Sequence, residues 1–259
     1  MAVHQTWVQI KERSFLDLLD LALMVVRERP LTLGLTALLG VAPFAALNTW
    51  LASLPEFPAF LLPFMFAVEA PWATAPLTVV LGGMMFGERP GVPQVSKALS
   101  RAFVPMFFLQ FMARILLMSF FLFYIIVPIR FGFVNEVALL ERGRWRAVYR
   151  RSANLSEDCG GDLFGQWLGQ FFFGGLFVLG FWAGTGAILQ VLFSNETTWD
   201  PQTKDMLDIR MHFAVWLAIS FFAVVRFLTY LDRRIRLEGW ELELRLRSAG
   251  RALEADRRW

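Results

Sequence analysis

The sequence predicts an all-α protein: a polytopic transmembrane helical bundle of about six spans, preceded by an amphipathic interfacial helix and followed by a cytoplasmic helix. Three observations lead there. Of 259 residues 56% are hydrophobic, with 27 Phe and 10 Trp, against about 45 to 50% apolar in soluble domains. The apolar residues lie in runs long enough to cross a hydrocarbon core of about 30 Å, which takes about 20 helical residues. The 25 Lys and Arg crowd into a few segments between those runs, and such placement orients a membrane protein. The resulting organisation is 1–30, an interfacial helix; 31–230, the membrane bundle; and 231–259, a basic helical tail.

In the opening stretch RSFLDLLDLALMVVRERP, helical periodicity puts Phe15, Leu19, Ala22 and Val26 on one face and Asp17, Asp20 and Arg27 on another. Ser14 is the expected start and Pro30 the expected stop. Lipid-binding interfacial helices carry a Lys/Arg-rich polar face, whereas this one is acidic at its centre, so docking onto the bundle is expected in preference to lipid sensing. With no apolar core and small-residue cleavage site, residues 1–30 do not read as a cleaved signal peptide.

Spans are expected at about 31–53, 60–87, 102–119, 120–140, 162–193 and 207–230. Pro63, Pro71 and Pro76 are expected to kink or break the second span near Glu69; a break would strengthen a transport reading. The run 102–140 is the ambiguous one, because its 39 residues suit either one long crossing or a tight hairpin turning near Ser119. Charge decides. Two crossings leave 4, 3, 5 and 8 Lys or Arg in segments 1–30, 88–101, 141–161 and 231–259, 20 in all on one side, with only Lys204 in the loops opposite. A single crossing would put Arg142, Arg144, Arg146, Arg150 and Arg151 opposite Arg89, Lys97 and Arg101, against the positive-inside rule. Both termini are therefore expected in the cytoplasm. The fifth span carries Gly161, Gly165 and Gly169, then Gly180 and Gly184, at spacings that permit close helix approach. The loop 194–206 holds the sequon Asn195-Glu196-Thr197, read as a short polar turn. In the tail, Leu242, Leu246, Ala249 and Leu253 form a helical stripe, supported by Glu241–Arg245 and Glu243–Arg247 pairs four apart.

Reaction chemistry finds little to work with. Cys159 is the only cysteine and His4 and His212 the only histidines, and no nucleophile elbow, Walker loop, HExxH or paired cysteines occur. No enzyme activity, cofactor, metal or nucleic-acid partner is expected. The informative residues are ionisable groups inside spans, which are costly in lipid and mark a site or a pair. On a rise of about 1.5 Å per residue, Glu69 and Arg114 share one depth, Arg130 lies near the midplane, and Glu136 and Arg226 share a layer nearer the inner face. One reading makes them ties within the bundle, Glu69 neutralising Arg114 or Arg130 and Glu136 neutralising Arg226; the other makes them a polar transport path. Arg144, Arg150, Arg151, Arg233 and Arg234 are candidate contacts for anionic lipid headgroups.

Three stretches carry a resemblance: RSFLDLLDLALMVVRERP; IRFGFVNEVALLERGRWRAVYRRSANL, with Arg130, Glu141, Ala147, Arg151 and Ser152; and FLTYLDRRIRLEGWELEL. In combination they resemble bacterial six-helix membrane proteins related to the membrane domain attached to some glycerophosphodiester phosphodiesterases. Asn135 and Glu136 depart from that pattern, where small or apolar residues and Pro are commoner. The resemblance implies a fold and a bacterial inner membrane, but no catalytic residues, since the relatives' chemistry belongs to a separate soluble domain. The expected role is a non-enzymatic accessory or scaffold protein, partnered by the lipid bilayer and by membrane proteins or further copies of itself. The alternative is a small-solute or lipid transporter using the mid-span charges.

Overall fold

The structure, a computed structural model, describes residues 14–54, 56–85, 87–88, 90–119, 123–141, 143–193 and 209–238. The sequon loop, the tail beyond 238, residues 1–13, Arg89, Arg142 and the turn expected just after Ser119 lie outside the described residues. Among the described residues all regular structure is helical.

Helix α1, Phe15–Glu28, starts at a reciprocal cap: the Asp17 amide donates to Ser14 Oγ at 3.3 Å, and the Ser14 amide donates to the Asp17 carboxylate at 2.8 Å. Arg29 breaks the helical run, and Pro30 opens α2, Pro30–Ala52, at a position where its missing N–H costs nothing. Next come α3, Leu62–Ala73, and α4, Ala75–Met85, joined through Thr74. Gly87, at φ 72°, closes α4 as its amide donates to the Met84 carbonyl and that of Glu88 to Gly83, a pattern that needs a left-handed residue. Then follow α5, Val92–Ser119, α6, Phe123–Arg130, α7, Val134–Leu140, α8, Trp145–Leu155, α9, Gly160–Phe193, and α10, Ile209–Glu238.

Among the described residues, five stretches are long and apolar enough to cross a membrane: 30–52, 62–85, 92–117, 160–192 and 209–237. They divide into centre and periphery. The most apolar stretches of α10 and of α3–α4 are 61% and 56% buried, those of α2 and α9 only 17% and 11%, so the first two form the axis and the second two the wall. The wall is apolar outward: Leu31, Leu35 and Leu39 of α2, Phe103, Phe107 and Phe111 of α5, and Phe172 and Leu176 of α9 are all exposed. Large exposed apolar surface is unfavourable in water and favourable in hydrocarbon. This is the architecture of a multi-pass membrane protein.

Helix α1 packs on the axis. Leu18 and Ala22 join Leu33, Leu77, Leu81, Val225 and Leu228 in one buried cluster, while Leu16, Leu23 and Met24 are exposed on other faces. The expected stripe is thus rotated by a fraction of a turn, with Leu18 rather than Leu19 at the bottom. Of the five spaced glycines in α9, only Gly169 meets a neighbour, since a Cβ there would lie 2.6 Å from the Phe15 ring; Gly161, Gly165, Gly180 and Gly184 have nothing within 4 Å. Helix α9 is peripheral, so most of its small residues face outward rather than a partner helix.

The expected fourth span, 120–140, is two short helices rather than one rod. Residues 131–133 form a turn between α6 and α7. Gly132 permits it, because a Cβ there would sit 2.5 Å from the Pro128 carbonyl oxygen.

A second close approach fixes the axis. A Cβ on Gly40 of α2 would lie 2.1 Å from the Ala73 carbonyl oxygen, whereas one on Gly34 would meet nothing. Gly40→Val should therefore lower thermal stability in detergent by about 1 to 3 kcal/mol, the usual scale of overpacking, and Gly34→Val should leave it unchanged. Equal melting temperatures for the two variants would refute this contact.

Candidate functional site

The polar side chains inside the bundle are arranged around the broken second span. Pro71 and Pro76 lack an amide hydrogen, so the Ala67 and Trp72 carbonyls, four residues before them, lose their helical donors. A side chain from another helix supplies the first of these bonds, and others bond the backbone and side chains nearby. Arg114 of α5 donates from Nη2 to the Ala67 carbonyl at 2.8 Å. Its Nη1 donates to the Gln110 side-chain carbonyl. Gln110 in turn donates to Asn135 Oδ1, and Asn135 Nδ2 donates to the Pro71 carbonyl at 3.3 Å. One relay thus runs from α3 through α5 and α7 back to α3.

Beside it sits an ion pair. Arg226 Nε donates to Glu136 Oε1 at 2.6 Å, with the Glu136 side chain fully buried and that of Arg226 28% exposed. Arg226 Nη2 reaches Thr74 Oγ1, at the kink, at 3.4 Å. The two residues that share a depth in the sequence therefore touch, and they link α7 and α10 to the α3–α4 junction.

Glu69 and Arg114 do not pair. Asn48 of α2, wholly buried, donates to Glu69 Oε2 at 2.7 Å, so a neutral amide stands where an arginine was expected. Equal depth does not imply a common face, and α3 turns Ala67 toward α5 but Glu69 toward α2. Arg130 does not meet Glu69 either: the turn at 131–133 ends α6 at Arg130, whose side chain is exposed and whose carbonyl accepts from Ser152 Oγ at 3.0 Å.

A second cluster gathers at the α7–α8 junction. Glu141 accepts from Arg151 Nε at 2.8 Å and from the Tyr230 hydroxyl at 2.7 Å. Arg234 donates to the Tyr230 hydroxyl at 3.1 Å. The second and third stretches of the family resemblance therefore meet here. This geometry sorts the candidate headgroup contacts. Arg151 and Arg234 belong to the Glu141 cluster, and Arg233 bonds Asp162 at 3.2 Å, whereas Arg144 and Arg150 are exposed. Arg146, beside them on α8, stacks over the exposed Trp145 ring at 5.0 Å.

Between α3, α9 and α10 runs a groove of about 580 Å³ with mainly apolar walls. Arg226 and Thr74 line it; Glu69, Arg114 and Arg130 do not. Among the described residues no three His, Cys, Asp or Glu side chains come together as a metal cluster would require. The sequence singled out neither Asn48, Thr74 nor Gln110, and marked Asn135 only as a departure from the family pattern, with no bonding role. The available signal was the pair of prolines five residues apart, which demands donors from elsewhere in a medium that offers none.

Two predictions follow from these bonds. Arg226→Leu strands a buried carboxylate and should cost about 3 to 5 kcal/mol, while adding Glu136→Gln should recover much of it; additive losses would refute the pairing. Arg114→Leu leaves the Ala67 carbonyl bare, a loss of about 1 to 3 kcal/mol. In a Pro71→Ala background, where the backbone regains the donor, the same substitution should cost clearly less. An unchanged cost in that background would show that Arg114 does not serve the proline gap.

No family model, no curated protein and no solved structure matches the chain.

Proposed function

We propose that the chain is a six-span protein of the bacterial inner membrane, with both termini cytoplasmic, that acts by binding, as a non-enzymatic accessory or scaffold protein, and is kin to the membrane domain of the glycerophosphodiester phosphodiesterases. The observation that carries the role is where the mid-span polar groups go. Glu136 closes on Arg226, Glu69 on Asn48, and Arg114 on a backbone carbonyl freed by proline. A water-filled transport path needs such groups to face a shared lumen; here they are used as ties between helices.

The six-span topology is supported by the way the chain returns along α5. Gln110 lies opposite Asn135, and Ala102 and Met106 share a buried cluster with Val137, Ala138 and Val148, against which Val95 and Leu99 also pack. That brings α8 and its arginines back beside the segment that holds Lys97 and Arg101. Trp145 and Tyr149, exposed next to Arg146 and Arg150, have the composition of a headgroup-level face. Anionic lipid headgroups are the partner proposed for Arg144 and Arg150. Docked on the axis, α1 would lie along the same membrane surface. The groove at Arg226 favours a second reading, a lipid transporter.

Topology is checked with single cysteines at exposed positions after replacing Cys159 by Ser. In intact cells an impermeant thiol reagent should label Glu56→Cys and spare Lys97→Cys and Asn154→Cys. Labelling of Asn154→Cys with Lys97→Cys protected would mean a single crossing by residues 92–140 and a five-span protein. For the role, Asn48→Leu, which strands the buried Glu69 carboxyl, should lower the amount of folded protein and reproduce any growth defect of the gene's loss together. The same defect at full stability would replace the scaffold with the transporter.

A further inference from the structure

The groove between α3, α9 and α10 has a definite direction. Phe181 meets Phe213 at 5.7 Å between ring centroids, and Arg233 meets Asp162 at 3.2 Å, so α9 and α10 are antiparallel. Phe66 meets Trp216 at 5.3 Å and Thr74 meets Arg226 at 3.4 Å, so α3 runs parallel to α10. Leu62, Leu179 and Met211 therefore mark one end of the groove, and Thr74, Trp167 and Arg226 the other. From Met211 to Arg226 the groove follows α10 for about 22 Å at about 1.5 Å per residue. One leaflet of hydrocarbon is about 15 Å deep, half the usual core. The groove is thus longer than one leaflet is deep, so an extended acyl chain that starts at Arg226 finds wall along its full length even past the midplane, and its 580 Å³ falls in the range, about 300 to 1,000 Å³, of sites that hold one small ligand.

The polar end selects what is attached to that chain. A guanidinium carries five N–H donors. Arg226 gives one to Glu136 and one to Thr74, and the rest have no acceptor among the described residues. Arg114 does not line the groove and is engaged with Ala67 and Gln110 on the α5 side, so Arg226 is the guanidinium at this end. Glu69 is engaged with Asn48 of α2. An occupant that completes the site brings negative oxygen acceptors. Arg226 lies seven residues, about 10 Å at the helical rise, below Arg233, and arginine stems extend toward the headgroup layer.

We propose that the groove binds one membrane phospholipid, with an acyl chain laid along α10 from Arg226 to Met211 and its phosphate held by Arg226. The proposal rests on the membrane-spanning reading above and gives the binding role a ligand class.

The test uses Gly175, which lines the groove and whose added Cβ would meet nothing within 4 Å, so that a large side chain fills the groove without displacing a neighbour. Gly180 is equally open but does not line the groove. Full-length protein, extracted in mild detergent and placed in nanodiscs containing phosphatidylglycerol with a photoreactive acyl chain, should crosslink within 167–179 and 211–226. Gly175→Phe should lose that crosslink and the co-purifying phospholipid seen by native mass spectrometry, at an unchanged melting temperature; Gly180→Phe should keep both. If Gly175→Phe does not fold, Ala70→Leu fills the same groove. In the double variant Arg226→Leu with Glu136→Gln, phosphatidylglycerol should lose its advantage over uncharged diacylglycerol in competition for the site. Retention of lipid by both groove-filling variants, capture of free fatty acid alone, or equal competition in the wild type overturns the proposal. Protein that passes the cysteine labelling test but carries no phospholipid overturns the groove assignment and leaves the topology standing.

Discussion

In hydrocarbon a backbone carbonyl without a donor has no water to turn to, and leaving it bare costs several kcal/mol. That constraint organises the interior of this protein. Pro71 and Pro76 interrupt the second span, and the bundle answers by sending Arg114 to the Ala67 carbonyl and Asn135 to the Pro71 carbonyl. Arg114 is steadied by Gln110, and Gln110 by Asn135. Arg114, Gln110 and Asn135, which look like part of a catalytic or transport constellation in a list of buried polar groups, are, bond by bond, a brace on one proline-kinked helix.

The repair also decides which helices sit in the middle. A kinked span cannot face lipid at its gap, so α3–α4 is drawn to the axis, with α10 beside it and α5 and α7 supplying donors. Helices α2 and α9 need no such help and can expose their apolar faces. Gly40 belongs to the same logic: it lets α2 approach the Ala73 carbonyl just before the kink. Shielding of this backbone from lipid by α2, α5 and α7 is a packing requirement that follows from two residues of sequence.

Much of this was legible in the sequence, and the failures have physical causes. Composition and run length are sums over many residues, so the helical membrane architecture survives errors at any one of them. The Glu136–Arg226 contact was legible because depth along a helix follows from residue count. Depth says nothing about azimuth, which is why Glu69 was matched with Arg114 or Arg130 although α3 turns Glu69 toward Asn48 of α2 and only its Ala67 carbonyl toward Arg114. Arg130 is a separate case: the expected helix ran unbroken through Pro128 and Gly132, whereas a turn at 131–133 follows Arg130 and leaves its side chain exposed. The α9 glycines show the limit of spacing, since the same pattern suits a tight interface or a bare surface, and only position in the bundle decides between them.

The contrast between the ties and the groove bears on the choice between a passive scaffold and a carrier. An alternating-access carrier must break and remake polar contacts at its midplane as two halves rock. Here those contacts cross-link nearly every central element: α7 to α10, α5 to α3, α7 to α3 and α2 to α3. Opening along any of these seams exposes a charge or a buried backbone carbonyl. The groove, by contrast, borders α9, whose walls are apolar and whose most apolar stretch is only 11% buried. Displacing α9 breaks few polar bonds; the Arg233–Asp162 bridge, with the aspartate side chain 75% exposed, is an ion pair of the weak surface kind. The polar ties are thus concentrated at the seams among α2, α3, α5, α7 and α10, while the α9 side of the groove is apolar. Under the proposed lipid-binding reading this favours entry of a lipid beside α9 over passage of a solute through the bundle.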